Sequence, residues 1–300
     1  MSKIRFDDRV AVVTGAGNGL GKSHARMLGA LGAKVVVNDL GGDIFGGGSD
    51  QRAADVVVDE IKAAGGEAVA NYDSVEDGDK IIQTAMDAFG RVDIVVNNAG
   101  ILRDKSFHKM SEEDWDLIYR VHVLGAFRVL KAAWPVMREN QYGRVVNTVS
   151  AAGIYGNFGQ VNYAMAKLGL HGMTQSLAQE GASKNIKVNS IAPIAGSRLT
   201  ATVMPKELLD ALKPECVSPL VGYLCSEANQ DSGALFEVGA GWVGRLRWER
   251  TQGAEFSRDG DFGPDDIAAK WGQIGDFTDS THPTNTQESM VPAMKIAGLA

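Results

Sequence analysis

Val10-Ala11-Val12-Val13-Thr14-Gly15-Ala16-Gly17-Asn18-Gly19-Leu20-Gly21 is the stretch that decides the fold. Its first five residues are a short, unbroken apolar run, the pattern of a strand covered on both faces. The glycines after it permit a tight turn. From Lys22 to Leu31, Ala25, Leu28 and Leu31 recur at helical spacing, and Gly32 stands where a C-cap glycine would. A second β-branched run, Lys34 to Asn38, follows at once. Strand, glycine turn, helix and strand in about 30 residues make a parallel β-α-β unit.

Working outward, the same alternation repeats. Ala68–Tyr72, Asp93–Asn97, Arg144–Val149, Lys187–Ala192 and Ala234–Val238 read as further strands. Ala53–Ala64, Asp77–Phe89, the segment from Ser111 to Leu124, and Tyr163–Glu180 read as helices. Ser111 followed by Asp114 resembles an N-cap box. The expectation is an α/β fold with a doubly wound, parallel, seven-stranded sheet flanked by helices. Residues 1–245 form this domain. Residues 246–300 change in texture: Trp248, Phe256, Phe262, Trp271 and Phe277 stand among Gly, Asp and Thr, with one short helix expected at Pro264–Trp271. That extension is expected to pack on the domain or on a partner subunit.

Composition narrows the function. The net charge of −7 argues against a nucleic-acid partner, which usually meets a basic protein. No apolar run reaches the roughly 18 residues of a membrane span. Met1 to Asp8 lacks the apolar core of a secretion signal, so a cytoplasmic protein is expected. Cys216 and Cys225 make no disulfide framework and lack the company of other metal ligands, so no metal site is expected.

The motifs carry the chemistry. Backbone N–H groups of Gly15 to Gly21 at a helix N-terminus suit a pyrophosphate. Asp39 ends the second strand, 39 − 21 = 18 residues after Gly21. A carboxylate there accepts from adenosine ribose hydroxyls and repels a 2′-phosphate, which favours NAD; the plainer reading is a turn starter before Gly41-Gly42. Tyr163 and Lys167 lie four apart on one helical face. A phenol titrates near 10, and an adjacent ammonium with a bound cationic ring favours its phenolate. Ser150 closes the fifth strand, Asn97-Asn98-Ala99-Gly100 the fourth. All of these lie at the carboxyl edge of the sheet, where such folds bind ligands.

In order and spacing, Thr14–Gly21, Asn97–Gly100, Ser150 and Tyr163–Lys167 resemble the short-chain dehydrogenase/reductase family over roughly residues 7 to 243. The resemblance implies a single Rossmann-like domain and a homodimer. It implies Tyr163 as general acid/base, Ser150 as the group that orients the substrate oxygen, and Lys167 on the nicotinamide ribose. It places Gly15, Asn18, Gly19, Leu20, Gly21, Asp39, Asp73, Ser74, Val75, Asn98, Ala99, Gly100 and Pro193 along the cofactor. His122 stands where the family usually has an Asn that holds a relay water. It is expected to serve the relay or a structural bend. Ile194 replaces the Gly that many relatives carry after the Pro.

Further features resemble one branch of that family, the (3R)-hydroxyacyl-CoA dehydrogenase units of peroxisomal multifunctional enzymes of type 2. They are Asn38-Asp39-Leu40-Gly41-Gly42, His122, Gly153 to Gln160, Ala195 to Thr200 and Trp248-Glu249-Arg250. The implied reaction is oxidation of a (3R)-3-hydroxyacyl-CoA to the 3-oxoacyl-CoA with NAD. Arg103, Lys105, Arg198 and Arg245 are candidates for CoA phosphates, and Leu199 and Met204 for the pocket or a lid. Alternatives are a 17β-hydroxysteroid or steroid side-chain CoA substrate, or a non-catalytic NAD(H) sensor.

Overall fold

The computed structural model describes residues 4–43, 45–48, 50–196, 207 and 211–299. The described chain forms two compact units, Met1–Arg245 and Leu246–Ala300.

The first unit is built on β1 (Val10–Thr14), β2 (Lys34–Asn38), β3 (Glu67–Asn71), β4 (Ile94–Asn97), β5 (Gly143–Thr148), β6 (Ile186–Pro193), β7 (Leu235–Gly239) and β8 (Trp242–Leu246). Their spatial order is β3-β2-β1-β4-β5-β6-β7-β8. β1 to β7 pair in parallel, with Val12 beside Val36 and Val95, and Val146 beside Asn189. The apolar runs predict seven strands; the structure adds an eighth, β8. It follows β7 after only Ala240 and Gly241, both at positive φ (47° and 84°). So short a link joins antiparallel neighbours. Ala-Gly is a weak hairpin signal beside Asn-Gly, which is why this strand escapes a reading of the residues.

Alternate residues of each strand serve opposite cores. Val13, Val35, Val37 and Val96 pack on one side with Leu28 and Ile61. Val12, Val36, Val95 and Val145 pack on the other with Ile81 and Val129. Two covered faces explain why the strands are apolar throughout. The flanking helices include α1 (Gly19–Ala30), α2 (Arg52–Ala63), α3 (Gly78–Phe89), α4 (Glu112–Ile118), α5 (Gly125–Glu139), α6 (Ala151–Tyr155) and α7 (Val161–Gly181). The Ser111 hydroxyl accepts from Asp114 N–H at 3.2 Å and starts α4. Between α4 and α5 the chain continues as a π-helical turn, Tyr119–Leu124.

The strand order reverses between β1 and β4, where connections leave in opposite directions and open a crevice at the carboxyl edge. The second unit contains a short antiparallel pair, Arg250–Thr251 with Ser280–Thr281, and a stacked Phe256–Phe262 pair. Its expected helix is divided into Pro264–Ala269 and Trp271–Ile274. A further helix, Thr286–Ile296, was missed. Asn285 accepts from Glu288 N–H, and Glu288 reaches back to Thr284 N–H. That Asn-x-x-Glu box was the available signal.

Candidate active site

The glycine loop is shaped by what its residues lack. Gly15 has φ +62°, and a Cβ on it would lie 2.7 Å from Ala99 Cα. A Cβ on Gly21 would lie 2.2 Å from the Gly15 carbonyl oxygen. The loop therefore folds against the end of β4 and turns directly into α1. Asn98 locks the two together: its side-chain N–H groups donate to the carbonyls of Thr14 (3.0 Å) and Gly15 (3.1 Å). Asn18 precedes α1 in an extended conformation and makes no side-chain cap. The first N–H groups of α1 thus have no side-chain competitor for an anion.

Asp39 is buried at the end of β2. Its Oδ2 accepts from Gly17 N–H and its Oδ1 from Gly41 N–H, each at 2.7 Å. Each oxygen keeps lone-pair capacity for another donor. Asp73 follows β3, where its Oδ2 accepts from the Asn71 side chain at 2.8 Å. Ser74 caps the next turn by accepting from Glu76 N–H, and Val75 is buried behind it.

The other side of the crevice is made of side chains. Ser150 caps α6, its hydroxyl accepting from Ala152 N–H at 3.2 Å. A Cβ on Gly153 would sit 2.9 Å from Leu168 N, so glycine lets α6 lie against α7. That contact brings Ser150 to Tyr163. Tyr163 is partly open to the cleft while its hydroxyl lies deep in the fold. Burial pushes the phenol up to about 12, against the downward pull of a hydrogen bond with Ser150 and with a further rise from Asp104. Lys167 is buried and donates to the Thr148 carbonyl at 2.8 Å. Burial lowers its ammonium to about 7. Its Nζ lies 5.5 Å from the centre of the Tyr163 ring. The lowered phenol expected from the sequence is thus not a property of the protein alone, because the same burial disfavours both the phenolate and the ammonium that would support it.

His122 sits in the π turn, a feature frequent at functional sites. Its ring meets that of Tyr163 edge-on, with centroids 5.4 Å apart. Nε2 is within hydrogen-bond distance of the Ile101 N–H (3.1 Å) and carbonyl (2.9 Å). Burial, then Lys167, holds the ring well below the usual histidine range, so it is neutral. Gly100 makes room for it: a Cβ there would lie 2.5 Å from His122 Cε1. Nδ1 of His122 and Oγ1 of Thr148 are buried without a partner.

One cavity of about 880 Å³ gathers these groups. Every cofactor or catalytic residue expected from the sequence lines it except Gly21, which stands behind Gly15. The CoA-phosphate candidates fare differently. Lys105 and Arg103 pair with the buried Asp114 at 2.7 and 3.5 Å, and Arg245 pairs with Asp231 at 2.9 Å. None of the three lines the cavity. Arg198, Leu199 and Met204 lie outside the described residues. Lining residues without a site role expected from the sequence include Asp104, Thr148, Tyr155 and Gln160. Their signal was position, since each lies at or soon after a strand's carboxyl end or just before α7.

A glycine cradle that any Cβ would fill, an uncapped helix start, and orphaned polar atoms on the lining together suit a dinucleotide. The family model for short chain dehydrogenases matches residues 9–210. The chain belongs to the short-chain dehydrogenase/reductase family, whose chemistry is oxidoreduction with a nicotinamide dinucleotide. Over 289 residues it is 56% identical to peroxisomal multifunctional enzyme type 2 of Mus musculus, covering 96% of this chain and 39% of that protein. It is 52% identical over 274 residues to a short-chain type dehydrogenase/reductase of Mycobacterium tuberculosis, covering 90% and 95%. A solved 7α-hydroxysteroid dehydrogenase, in complex with NADH and 7-oxo glycochenodeoxycholic acid, superposes with a TM-score of 0.70 at 30% identity, covering 79% of this chain and 95% of that one. The chain spans 31–64% of the length of the multifunctional relatives it matches. Among the described residues, no helix is long and apolar enough to cross a membrane.

Proposed function

We propose that this protein oxidises (3R)-3-hydroxyacyl-CoA to 3-oxoacyl-CoA with NAD, Tyr163 serving as general acid/base. The observation that carries the reading is the meeting of Ser150, Tyr163 and Lys167 in the same cavity as the glycine loop. The likeness to the dehydrogenase portion of multifunctional enzymes supports the substrate. When bound, the dinucleotide supplies a hydride acceptor and a positive charge near the phenol.

The residues divide the remaining work. Ser150 donates to the substrate oxygen and orients it. Tyr163 takes the hydroxyl proton in oxidation and returns it in reduction. Lys167, fixed on the Thr148 carbonyl, supplies the neighbouring positive charge that offsets the burial of the phenolate. Its lowered value near 7 also lets it pass a proton onward at neutral pH. His122 keeps Nδ1 free while Ile101 holds Nε2, so the ring combines a structural anchor with one open relay position. Asp39 favours NAD by facing the ribose with a carboxylate.

Likeness to a hydroxysteroid dehydrogenase makes a steroid alcohol, or a steroid side-chain CoA ester, the second reading. The test is NADH formation from 3-hydroxyacyl-CoA of several chain lengths beside free 17- and 7-hydroxysteroids. Turnover of the thioesters, lost in Tyr163→Phe with NADH binding intact, is expected. NADH formed only with free steroids would overturn the first reading; full activity in Tyr163→Phe would overturn both.

A further inference from the structure

Asp104 has no part in the roles assigned so far, yet it lines the cleft with Tyr163. It belongs to the loop after β4, and Gln160, just ahead of α7, fixes it: Gln160 Nε2 donates to Asp104 Oδ2 at 2.7 Å. Asn157 Nδ2 in turn donates to Gln160 Oε1 at 2.8 Å. The backbones are stitched beside this pair, with Lys105 N–H donating to the Gly159 carbonyl at 2.8 Å. Two loops thus make one wall, and the carboxylate is held on it by a neutral amide.

The cations that flank it in sequence do not neutralise it. Arg103 and Lys105 are both turned to Asp114, and Arg103 also donates to the Phe45 carbonyl. Among the described residues Asp104 has no ion-pair partner. Although Asp104 is exposed, desolvation by the surrounding loops raises its carboxyl above the usual value, with the Gln160 hydrogen bond opposing.

Among the described residues, three kinds of ionisable group stand near Tyr163. Lys167 comes from its own helix and His122, neutral, from the π turn. Tyr155 of α6 directs its hydroxyl to Glu237 at 3.1 Å. Asp104 brings a negative charge to this wall: it is bonded to Gln160, one helical turn ahead of Tyr163, and the Asn162 side chain donates to the carbonyl of the adjoining Arg103 at 3.2 Å. Like charge disfavours a second anion nearby, so an ionised Asp104 opposes formation of the phenolate.

We propose that Asp104, held in place by Gln160, is a positioning residue whose charge sets the pH at which Tyr163 releases its proton. It keeps the phenol protonated, the form that serves carbonyl reduction, and it delays the phenolate that serves oxidation. A dinucleotide held by the glycine loop in this cavity would supply an opposing positive charge in its oxidised form. This rests on Tyr163 being the acid/base.

The experiment is the pH profile of kcat for oxidation in wild type, Asp104→Asn, Asp104→Glu and Gln160→Glu. Removing the charge lowers the Tyr163 value, so the rising limb of Asp104→Asn moves to lower pH by about half a unit. That is roughly threefold more activity at a pH on the limb, relative to each enzyme's own plateau. Asp104→Glu restores the wild-type limb. Gln160→Glu adds a like charge and moves the limb to higher pH. All displacements shrink in high salt, because this edge of the cleft is open. A change of plateau with the limb unmoved in both Asp104→Asn and Gln160→Glu would overturn the proposal, leaving Tyr163→Phe inactive and the acid/base reading intact. Should Asp104→Asn fail to fold, Asp104→Ser and Gln160→Glu give the same readout.

Discussion

On the β1–β3 side of the cleft the decisive contacts are backbone. Gly15 packs its bare Cα side against Ala99, Gly21 against the Gly15 carbonyl, and Gly17 donates its N–H to Asp39. On the β4–β6 side the decisive groups are side chains taken out of water: Tyr163 up to about 12, Lys167 down to about 7, His122 neutral. The first side recognises a ligand by shape and needs nothing to titrate. The second stores unfavourable desolvation that a bound substrate and cofactor can relieve. Changes on the two sides should therefore differ in kind. One set should alter cofactor affinity, and the other turnover, pH dependence and stability.

The largest separation is expected at Lys167→Met. Turnover should fall by about 10²- to 10⁴-fold, the range for losing acid–base assistance. Stability should rise, because a buried ammonium is removed and methionine fills similar volume. Replacement of buried charge by packed apolar groups supports a gain on the order of 2 kcal/mol, or roughly 4–8 °C in Tm. The sign with pH follows from the folded value near 7 against an unfolded value of 10.5. Between these values the unfolded chain binds more protons, so the wild type gains stability as pH rises and is most penalised below 7. The Tm advantage of Lys167→Met should be greatest near pH 6 and vanish toward pH 10.5. Thermal melts across that range check this; a variant less stable at pH 6 would show that Lys167 is structurally favourable.

Gly21→Ala makes the matching test of the other side. Its Cβ would meet the Gly15 carbonyl oxygen at 2.2 Å and Asn98 Nδ2 at 2.6 Å. Backbone must yield, at about 1–3 kcal/mol. The Kd for NADH should rise roughly tenfold or more, with the pH profile of the residual activity unmoved. Fluorescence titration and a pH series read both. A shifted pH limb would show that the two sides are coupled.

This division also governs how much the residues alone revealed. Strands β1 to β7 were legible because two buried faces demand unbroken apolar runs, as in Val35-Val36-Val37. The glycine loop was legible because φ values such as +62° at Gly15 and the absence of a Cβ leave few other residues possible. Ser150, Tyr163 and Lys167 were legible as types and spacings, but their energetics were not. The raised phenol and lowered ammonium come from burial that only the assembled helices create. Asp104 was not legible at all. Its sequence neighbours Arg103 and Lys105 suggest a neutralised carboxylate, and only the fold turns both toward Asp114. Thr286–Ile296 was missed because Pro292 interrupts its period, although its cap was in plain view.

The smallest expected effect lies where the two modes meet, at Asp39. Its carboxylate braces the backbone by accepting from Gly17 and Gly41, and it is proposed to accept from the ribose as well. The two duties predict different outcomes for Asp39→Ala. Loss of the brace alone would loosen the glycine loop and weaken NAD and NADP together. Loss of a ribose acceptor weakens NAD specifically, and removal of negative charge relieves repulsion of a 2′-phosphate. A charged hydrogen bond contributes about 1.5–3 kcal/mol, so the KM for NAD should rise roughly tenfold or somewhat more. The KM for NADP should fall over the same substitution. The ratio of the two constants isolates the ribose duty, since bracing cancels from it, while a modest fall in Tm measures the brace. An unchanged ratio with a lowered Tm would assign Asp39 to the backbone side of the cleft alone, and cofactor choice would then have to reside in the loop after Gly41.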